Sequence, residues 1–271
     1  MLCPASHPLI RNIVQYPRTP DAYCPPKKGD TMRFLYSRHM QHTFPERVTG
    51  IIEVDGIQPS VAVAPYVAEL TARALARLER ETEGNLPEIQ AWRRAYSTMG
   101  LKPTQYRCAA EALLRRLRKE GSLPQLHPLI DLCNAASVAY AVPVAVFDLN
   151  HVAGDLEVRQ AQGDETYIAF SGDTETPDPD EVIFADEDSY AHARRWANRQ
   201  SRKSAVSAET TRALIITEAL HEGGAEDVAK LMDKLSGMIV GTFGIAGRTE
   251  LLLTPDAIYH SENAGTYSRV G

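Results

Sequence analysis

A change of apolar period near residues 141–142 constrains the fold of this chain more than any other feature. From Tyr66 to Tyr140 the apolar side chains recur at helical spacing. From Val142 they fall into short runs parted by turn residues. Four helices are expected in the first stretch. One runs from Tyr66 to Glu83, with Val67, Leu70, Ala74, Leu75 and Leu78 on one side and Gly84 as its stop. A short one spans Glu88 to Thr98, and a third is capped by Thr104 and runs to Glu120 along Ala110, Leu113, Leu114 and Leu117. The fourth starts at Pro128, a natural first-turn residue, and reaches Tyr140.

Strands are expected at Arg33–Ser37, Val48–Val54 and Ser60–Ala64 before the helices. After them come Val142–Phe147, Leu156–Ala161, Thr166–Phe170 and Glu181–Ala185. Ser207 can cap a helix to His221, Ala225–Leu235 forms another, and Met238–Phe243 with Thr249–Leu253 reads as a closing hairpin. Helices and strands thus come in blocks, which predicts an α+β fold with mixed and antiparallel sheets packed by helices. Residues 1–31 carry prolines at a density that opposes packing and read as a tail or arm, leaving 32–271 as one domain.

An apolar share of 44% supplies a buried core, and no apolar run nears the roughly 20 residues needed to cross a bilayer. With no charged-then-apolar leader pattern at the start, the expectation is a cytoplasmic protein without a membrane partner. Cys3, Cys24, Cys108 and Cys133 show no paired spacing, so reduced thiols are expected rather than a disulfide framework or zinc. His39 and His42 are too isolated to hold a metal. No metal and no cofactor is expected.

The net charge of −6 argues against general nucleic-acid binding, but it is unevenly spread. Between Arg93 and Lys119 the basic residues, including Arg107 and Arg116, are opposed only by Glu111 and Glu120. After an acidic stretch, Arg194, Arg195, Arg199, Arg202 and Lys203 form a second basic run. Each run either contacts phosphates or is a solvated helix face; charge alone leaves both readings open. The glycines at 241, 244 and 247 lack dinucleotide spacing and read as a hairpin turn. There is no GxSxG, Walker A or HExxH sequence.

One ordered series remains. It runs from Trp92-Arg93-Arg94-Ala95-Tyr96 through Met99-Gly100, Pro103-Thr104, Tyr106-Arg107 and Glu111 to Asp131-Leu132-Cys133-Asn134. It continues with Val146-Phe147-Asp148, Gly163-Asp164-Glu165, Glu181 to Asp186 and Arg194-Arg195-Trp196-Ala197-Asn198-Arg199-Gln200. This series resembles the stand-alone B3/B4 family, related to the tRNA-proofreading module of the phenylalanyl-tRNA synthetase beta subunit. Its motif-bearing core is about 91–220.

The resemblance implies an editing pocket that hydrolyses mischarged tyrosine from tRNA. The family's polar residues there include a Thr-Asn pair on the helix matching Asp131 to Ser137, and a His in a Pro-Leu-His-Ala-Phe-Asp segment. Alignment with Pro143–Asp148 keeps the Asn as Asn134, but replaces the Thr by Cys133 and the His by Ala145. Amino-acid selectivity therefore does not carry over, and no general base stands at that position.

The residues can also be read without the family. Asp131, Asn134 and Ser137 recur every third position and line one side of their helix, with Leu129, Ile130, Cys133 and Ala136 opposite. A buried Asn134 either braces the fold or meets a ligand. Asp148 is a turn residue or a site residue. Asn198 and Gln200 are placed to hydrogen-bond a terminal nucleotide while Arg194, Arg195, Arg199, Arg107 and Arg116 hold phosphates. Trp196 stacks on a base or anchors the core.

The expected function is a tRNA-binding, trans-editing aminoacyl-tRNA deacylase rather than an aminoacylating ligase. Asn134 would position substrate or water, and Asp131, Ser137, Asn198 and Gln200 would bind substrate. The alternative is a non-catalytic module that binds RNA or an amino-acid-like ligand.

Overall fold

A computed structural model describes residues 32–261; the expected arm at 1–31 lies outside the described residues. The first block is β1 (Arg33–Tyr36), α1 (Arg38–Thr43) and β2 (Val48–Asp55). The helical block follows: α2 (Ala64–Leu78), α3 (Pro87–Thr98), α4 (Ala109–Glu120) and α5 (Pro128–Tyr140). Short strands come next: β3 (Val144–Asp148), β4 (Leu156–Gln160), β5 (Tyr167–Ile168), β6 (Thr174–Glu175), β7 (Val182–Ala185), β8 (Ala191–Arg194) and β9 (Arg199–Gln200). The chain closes with β10 (Arg212–Ala219), α6 (Gly224–Phe243), β11 (Arg248–Leu252) and β12 (Tyr259–His260).

The α+β expectation holds. Four strands form an antiparallel sheet in the order β11-β2-β10-β3, and six form a mixed sheet in the order β12-β1-β4-β7-β8-β9. Only β1 and β4 run parallel in the second sheet. β10 is the keel of the four-stranded sheet, paired along its whole length with β2 and along most of it with β3.

Alternation sends Leu214 and Ile216 into one core with Phe34, Tyr36, Phe147, Phe184, Trp92 and Trp196. It sends Ala213 and Ile215 into another, with Leu70 of α2 and the inner faces of α5 and α6. The antiparallel sheet is therefore the middle of three layers. Burying each such Leu or Ile stabilises the fold by about 1.5–3 kcal/mol. At Gly50 an added Cβ would stand 2.7 Å from Val228 of α6, so glycine permits that close helix–sheet approach.

Several boundaries differ from expectation. Ser207–His221 is not a helix: its second half is β10, and burial on both faces erases the alternation that would have marked a strand. Met238–Phe243 is not a strand but the last third of α6, which ends at Gly244 in a left-handed conformation rather than in a hairpin turn. β11 pairs with β2 instead. Residues 60–63 are irregular, and α2 begins at Ala64 with Pro65 in its first turn. Thr104 lies in a turn, and α4 starts only after Cys108. Of Thr166–Phe170, only Tyr167 and Ile168 are strand.

Candidate functional site

α5 is placed by its ends. His127 occupies the N-cap, its Nδ1 accepting from the Leu129 amide at 3.2 Å, and Ala141 closes the helix at φ 57°. Asp131 Oδ1 accepts from the Leu126 amide at 2.9 Å, folding the preceding loop onto the first turn; burial pushes its carboxyl up. Ser137 is only 1% exposed and donates to the Val142 carbonyl at 2.8 Å. The expected polar side of α5 is thus not an open stripe. Asp131 and Ser137, expected as substrate contacts, each spend a polar atom on bracing an end of the helix.

Asn134 behaves differently. It is half-buried, and its carboxamide has no hydrogen-bond partner among the described residues. Val138, one turn on and on the same face, packs in the core that holds Leu114 and Leu117 of α4. Asn134 therefore stands at the rim of that core.

The expected partners of Asn134 are engaged elsewhere. Asn198 donates from Nδ2 to the Arg107 carbonyl at 2.7 Å, and the Ala109 amide donates to the Ala197 carbonyl at 2.7 Å, stitching the segment after β8 to the start of α4. Gln200 donates from Nε2 to the Val146 carbonyl, tying β9 to β3. Both amides, expected to meet a terminal nucleotide, spend their nitrogen on the fold. Asp148 is buried and accepts from the Asn150 amide and from the Thr210 hydroxyl, the latter at 2.7 Å, as a turn residue does.

Trp196 is a core anchor. It is fully buried, packs at 4.9 Å against both Trp92 and Phe44, and donates from Nε1 to Glu218 Oε1 at 2.8 Å. Tyr36 donates to the same oxygen at 2.5 Å. Burial raises the Glu218 carboxyl pKa despite these donors. The apolar spacing of its segment fits a helix, so nothing in the sequence marks Glu218 as a buried carboxylate.

A second buried array was also missed: His192 lies 2.8 Å from Ser204 Oγ and 2.9 Å from Asp186 Oδ2. The order is that of an acyl-transfer triad, but Ser204 is 0% exposed and its carbonyl accepts from the Asp148 amide. No substrate carbonyl reaches its Oγ. Although burial opposes it, hydrogen bonds from His192 and from the Tyr190 and Ala153 amides hold the Asp186 carboxyl below its usual range.

The two sequence runs of arginine part company in the fold. Arg194, 5% exposed, is gripped by Glu181 at 2.7 Å and Glu175 at 2.6 Å. Arg195 lies over the Tyr106 ring and 3.7 Å from Glu181, and Arg199 pairs with Glu175 at 3.1 Å. Arg194 and Arg195, expected to reach phosphates, instead face carboxylates: pairing of β7 with β8 brings Glu181 onto both, and Glu175 of β6 adds to Arg194. Arg107 reaches Glu111 at 3.3 Å and the Thr104 carbonyl.

Two concave surfaces on the helical side have basic linings. One, of about 360 Å³, is lined by Arg115, Arg116, Arg118 and Lys119; the other, of about 290 Å³, by Arg73, Ala76, Arg77, Arg80 and Ala139. Asn134 lines neither. Glu88, His221 and Asp227 bring ligand-type atoms within 4.8 Å of one another. Arg77 already holds Glu88 at 2.7 Å, and His221 Nε2 lies 2.9 Å from Asp227, so these groups satisfy one another.

Comparison with known proteins gives the chain its relatives. Phenylalanine–tRNA ligase beta subunits match it in part: that of Bradyrhizobium diazoefficiens is 39% identical over 77 residues, covering 28% of this chain and 10% of the relative. That of Photorhabdus laumondii is 22% identical over 139 residues, covering 50% and 17%. The chain thus spans a small fraction of the length of these relatives. An N-terminal fragment of the phenylalanyl-tRNA synthetase beta subunit from Pyrococcus horikoshii aligns over 84% of this chain and 52% of its own, at a TM-score of 0.39 and 8% identity. A model of the B3/4 domain matches residues 91–234, from α3 into α6 and over half of the chain, and the protein belongs to the B3/4 domain family.

Proposed function

We propose that this protein binds tRNA and hydrolyses the ester of mischarged aminoacyl-tRNA in trans, with Asn134 orienting the aminoacyl ester or the attacking water. The observation that carries this reading is the contrast on and around α5. Asp131, Ser137, Asn198 and Gln200 spend polar atoms on the backbone, whereas Asn134 keeps a carboxamide at the rim of the core with no partner among the described residues.

The chemistry suits such a site. Ester hydrolysis on aminoacyl-tRNA needs a water held against the carbonyl, and a positioned amide with the neighbouring ribose hydroxyl supplies that by proximity. Cysteine nucleophiles are not offered: burial pushes the Cys108 thiol up to about 12 and raises Cys133 further. The family membership and the tRNA ligase names of the relatives support a tRNA substrate. Among the described residues no helix is long and apolar enough to cross a membrane, and a cytoplasmic setting accompanies this reading.

A non-catalytic module that binds RNA or an amino-acid-like ligand is the second reading. It is favoured by half-buried Ala145, an apolar side chain where the resemblance calls for a histidine. Incubation with a panel of aminoacyl-tRNAs, following loss of the ester, separates the two. Hydrolysis of any species above the protein-free rate establishes the deacylase; an intact panel leaves the binding module.

A further inference from the structure

Both basic concave surfaces lie on helices, and their charges differ in kind from those of the strand region. Arg73 and Arg77 stand one turn apart on one face of α2, and Arg80 follows in the turn just after it; all three line one concave surface. On α4, Arg115, Arg116, Arg118 and Lys119 crowd the last turns.

The turn between α2 and α3 joins them. Glu83, 2% exposed, accepts from Arg115 at 3.3 Å and from Arg118 at 3.0 Å. Arg80 is three residues away along the chain, so its Cα lies within about 11 Å of that of Glu83. We infer that the C-terminal halves of α2 and α4, with the turn that follows α2, form one docking face for the phosphate backbone of RNA. This face presupposes the RNA partner proposed above and states where it binds.

Several of the acids near this face are buried or already paired. Glu83 and Glu88 are buried beneath it, and they orient Arg115, Arg118 and Arg77 rather than meet solvent. Glu69 is drawn aside by Lys234 at 2.6 Å, and Glu120 pairs with Arg116 in an exposed one-turn contact. Glu79 and Glu81 are exposed beside Arg80. Arg73, Arg80 and Lys119 are exposed and make no ion pair among the described residues, although Arg73 lies over the Tyr140 ring. Oriented guanidiniums flanked by unpaired cations suit phosphate oxygens. An anionic bilayer would also ask for large apolar side chains at the same face. Among the described residues the exposed ones are Leu126, Phe170, Leu253 and Ile258, none of them on α2 or α4.

Deacylated tRNA is the probe, titrated by fluorescence anisotropy across 50–200 mM salt. Arg80→Glu with Lys119→Glu should weaken binding at least tenfold at the low-salt end and reduce the slope of log affinity against log salt by about one to two. Arg80→Gln with Lys119→Gln should lower the slope in the same direction by less. Lys230→Glu, an exposed change on α6, should alter neither. Unchanged affinity and slope in a reversal variant that melts like the parent would overturn the face. So would loss of binding to phosphatidylserine vesicles in that variant with tRNA binding intact, which would assign the face to membranes. If the parent binds tRNA through these residues yet leaves every aminoacyl ester intact, the docking face stands and only the deacylase falls.

Discussion

The two arginine-rich regions look alike in sequence and differ in how far the fold encloses their cations. In the strand region, Arg194 is enclosed between Glu181 and Glu175, and Arg195 and Arg199 lean on the same two carboxylates. In the helical region, Arg73, Arg80 and Lys119 stand in solvent over a base of buried acids that fix their neighbours. Charge density along the chain is therefore a poor guide to charge at the surface. What decides is whether strand pairing or helix periodicity delivers a carboxylate to each cation. Strand pairing lays an acidic run directly beside a basic one. On α4, Glu83 and Glu120 also reach Arg115, Arg118 and Arg116, but these three side chains stay 46–48% exposed, whereas that of Arg194 is 6% exposed.

The severest way to break this comparison is Arg194→Ala. It leaves Glu181 buried without its main counter-charge, and losing one partner of a buried pair costs about 3–5 kcal/mol. Urea denaturation should show a loss of that order. A loss below about 1 kcal/mol would mean the site is wet, and that the strand region resembles the helical one after all.

Asn134→Ala tests the residue at the rim between core and helices. Deacylation should fall by about 10²-fold, the scale of one positioned donor, while the urea midpoint moves little because no backbone group depends on this amide. Full activity in the alanine variant would leave Asn134 an ordinary rim residue.

How far the sequence announced all this depends on how local each signal is. α5 was readable to the residue, since Pro128 starts it and the apolar run ends it at Tyr140. β10 was not. Thr210 to Leu220 has apolar residues on both faces because both faces are buried, and a helix fits that pattern equally well. Ile239 and Val240 look like strand yet finish α6. At the candidate site, the helix carrying Asn134 was legible, but the fates of Asp131, Ser137, Asn198 and Gln200 were not. Each is tied to a backbone atom of another segment or of the helix's own flank, and sequence spacing carries no record of such partners. The Asp186–His192–Ser204 array likewise exists only once β7, β8 and the loop after β9 are packed together.

Acid should separate the regions at the next scale down. Burial lowers the His127 pKa below the ordinary value of about 6.5, so the folded state binds fewer protons than the unfolded one. Its stabilising contribution is therefore complete above about pH 6.5 and is lost as pH falls from there toward the folded value. Protonation also ends acceptance of the Leu129 amide, a cap whose loss costs about 1 kcal/mol. In the strand region the Asp186 carboxyl is lowered instead, so its contribution holds above about pH 3.9 and fails only below that. His127→Asn, which keeps a capping oxygen, should flatten stability between pH 6.5 and 5 in urea titrations. An unchanged slope there would place the acid-sensitive group elsewhere.

The smallest effect is expected at Arg199, and that smallness is what the comparison most needs. Of Arg194, Arg195 and Arg199, Arg199 has the most exposed side chain, and its sequence neighbours make it look like a phosphate contact. Its guanidinium, however, faces Glu175 at 3.1–3.2 Å through two hydrogen bonds and lies over the Tyr167 ring. Hydrogen bonding to Glu175 raises its pKa, and that carboxyl is lowered in return. To meet a phosphate, Arg199 would have to leave this carboxylate, and the gain would be largely offset by the pair given up. Arg199→Ala should thus cost under about 1 kcal/mol, as exposed pairs do, because Arg194 remains on Glu175. It should also leave the salt slope of tRNA binding where it was, whereas Arg80→Ala lowers it by about one. If Arg199→Ala reduces the slope as much as Arg80→Ala does, RNA reaches across both regions. The division between an enclosed, self-neutralised strand region and an open helical face would then not describe how this protein meets its substrate.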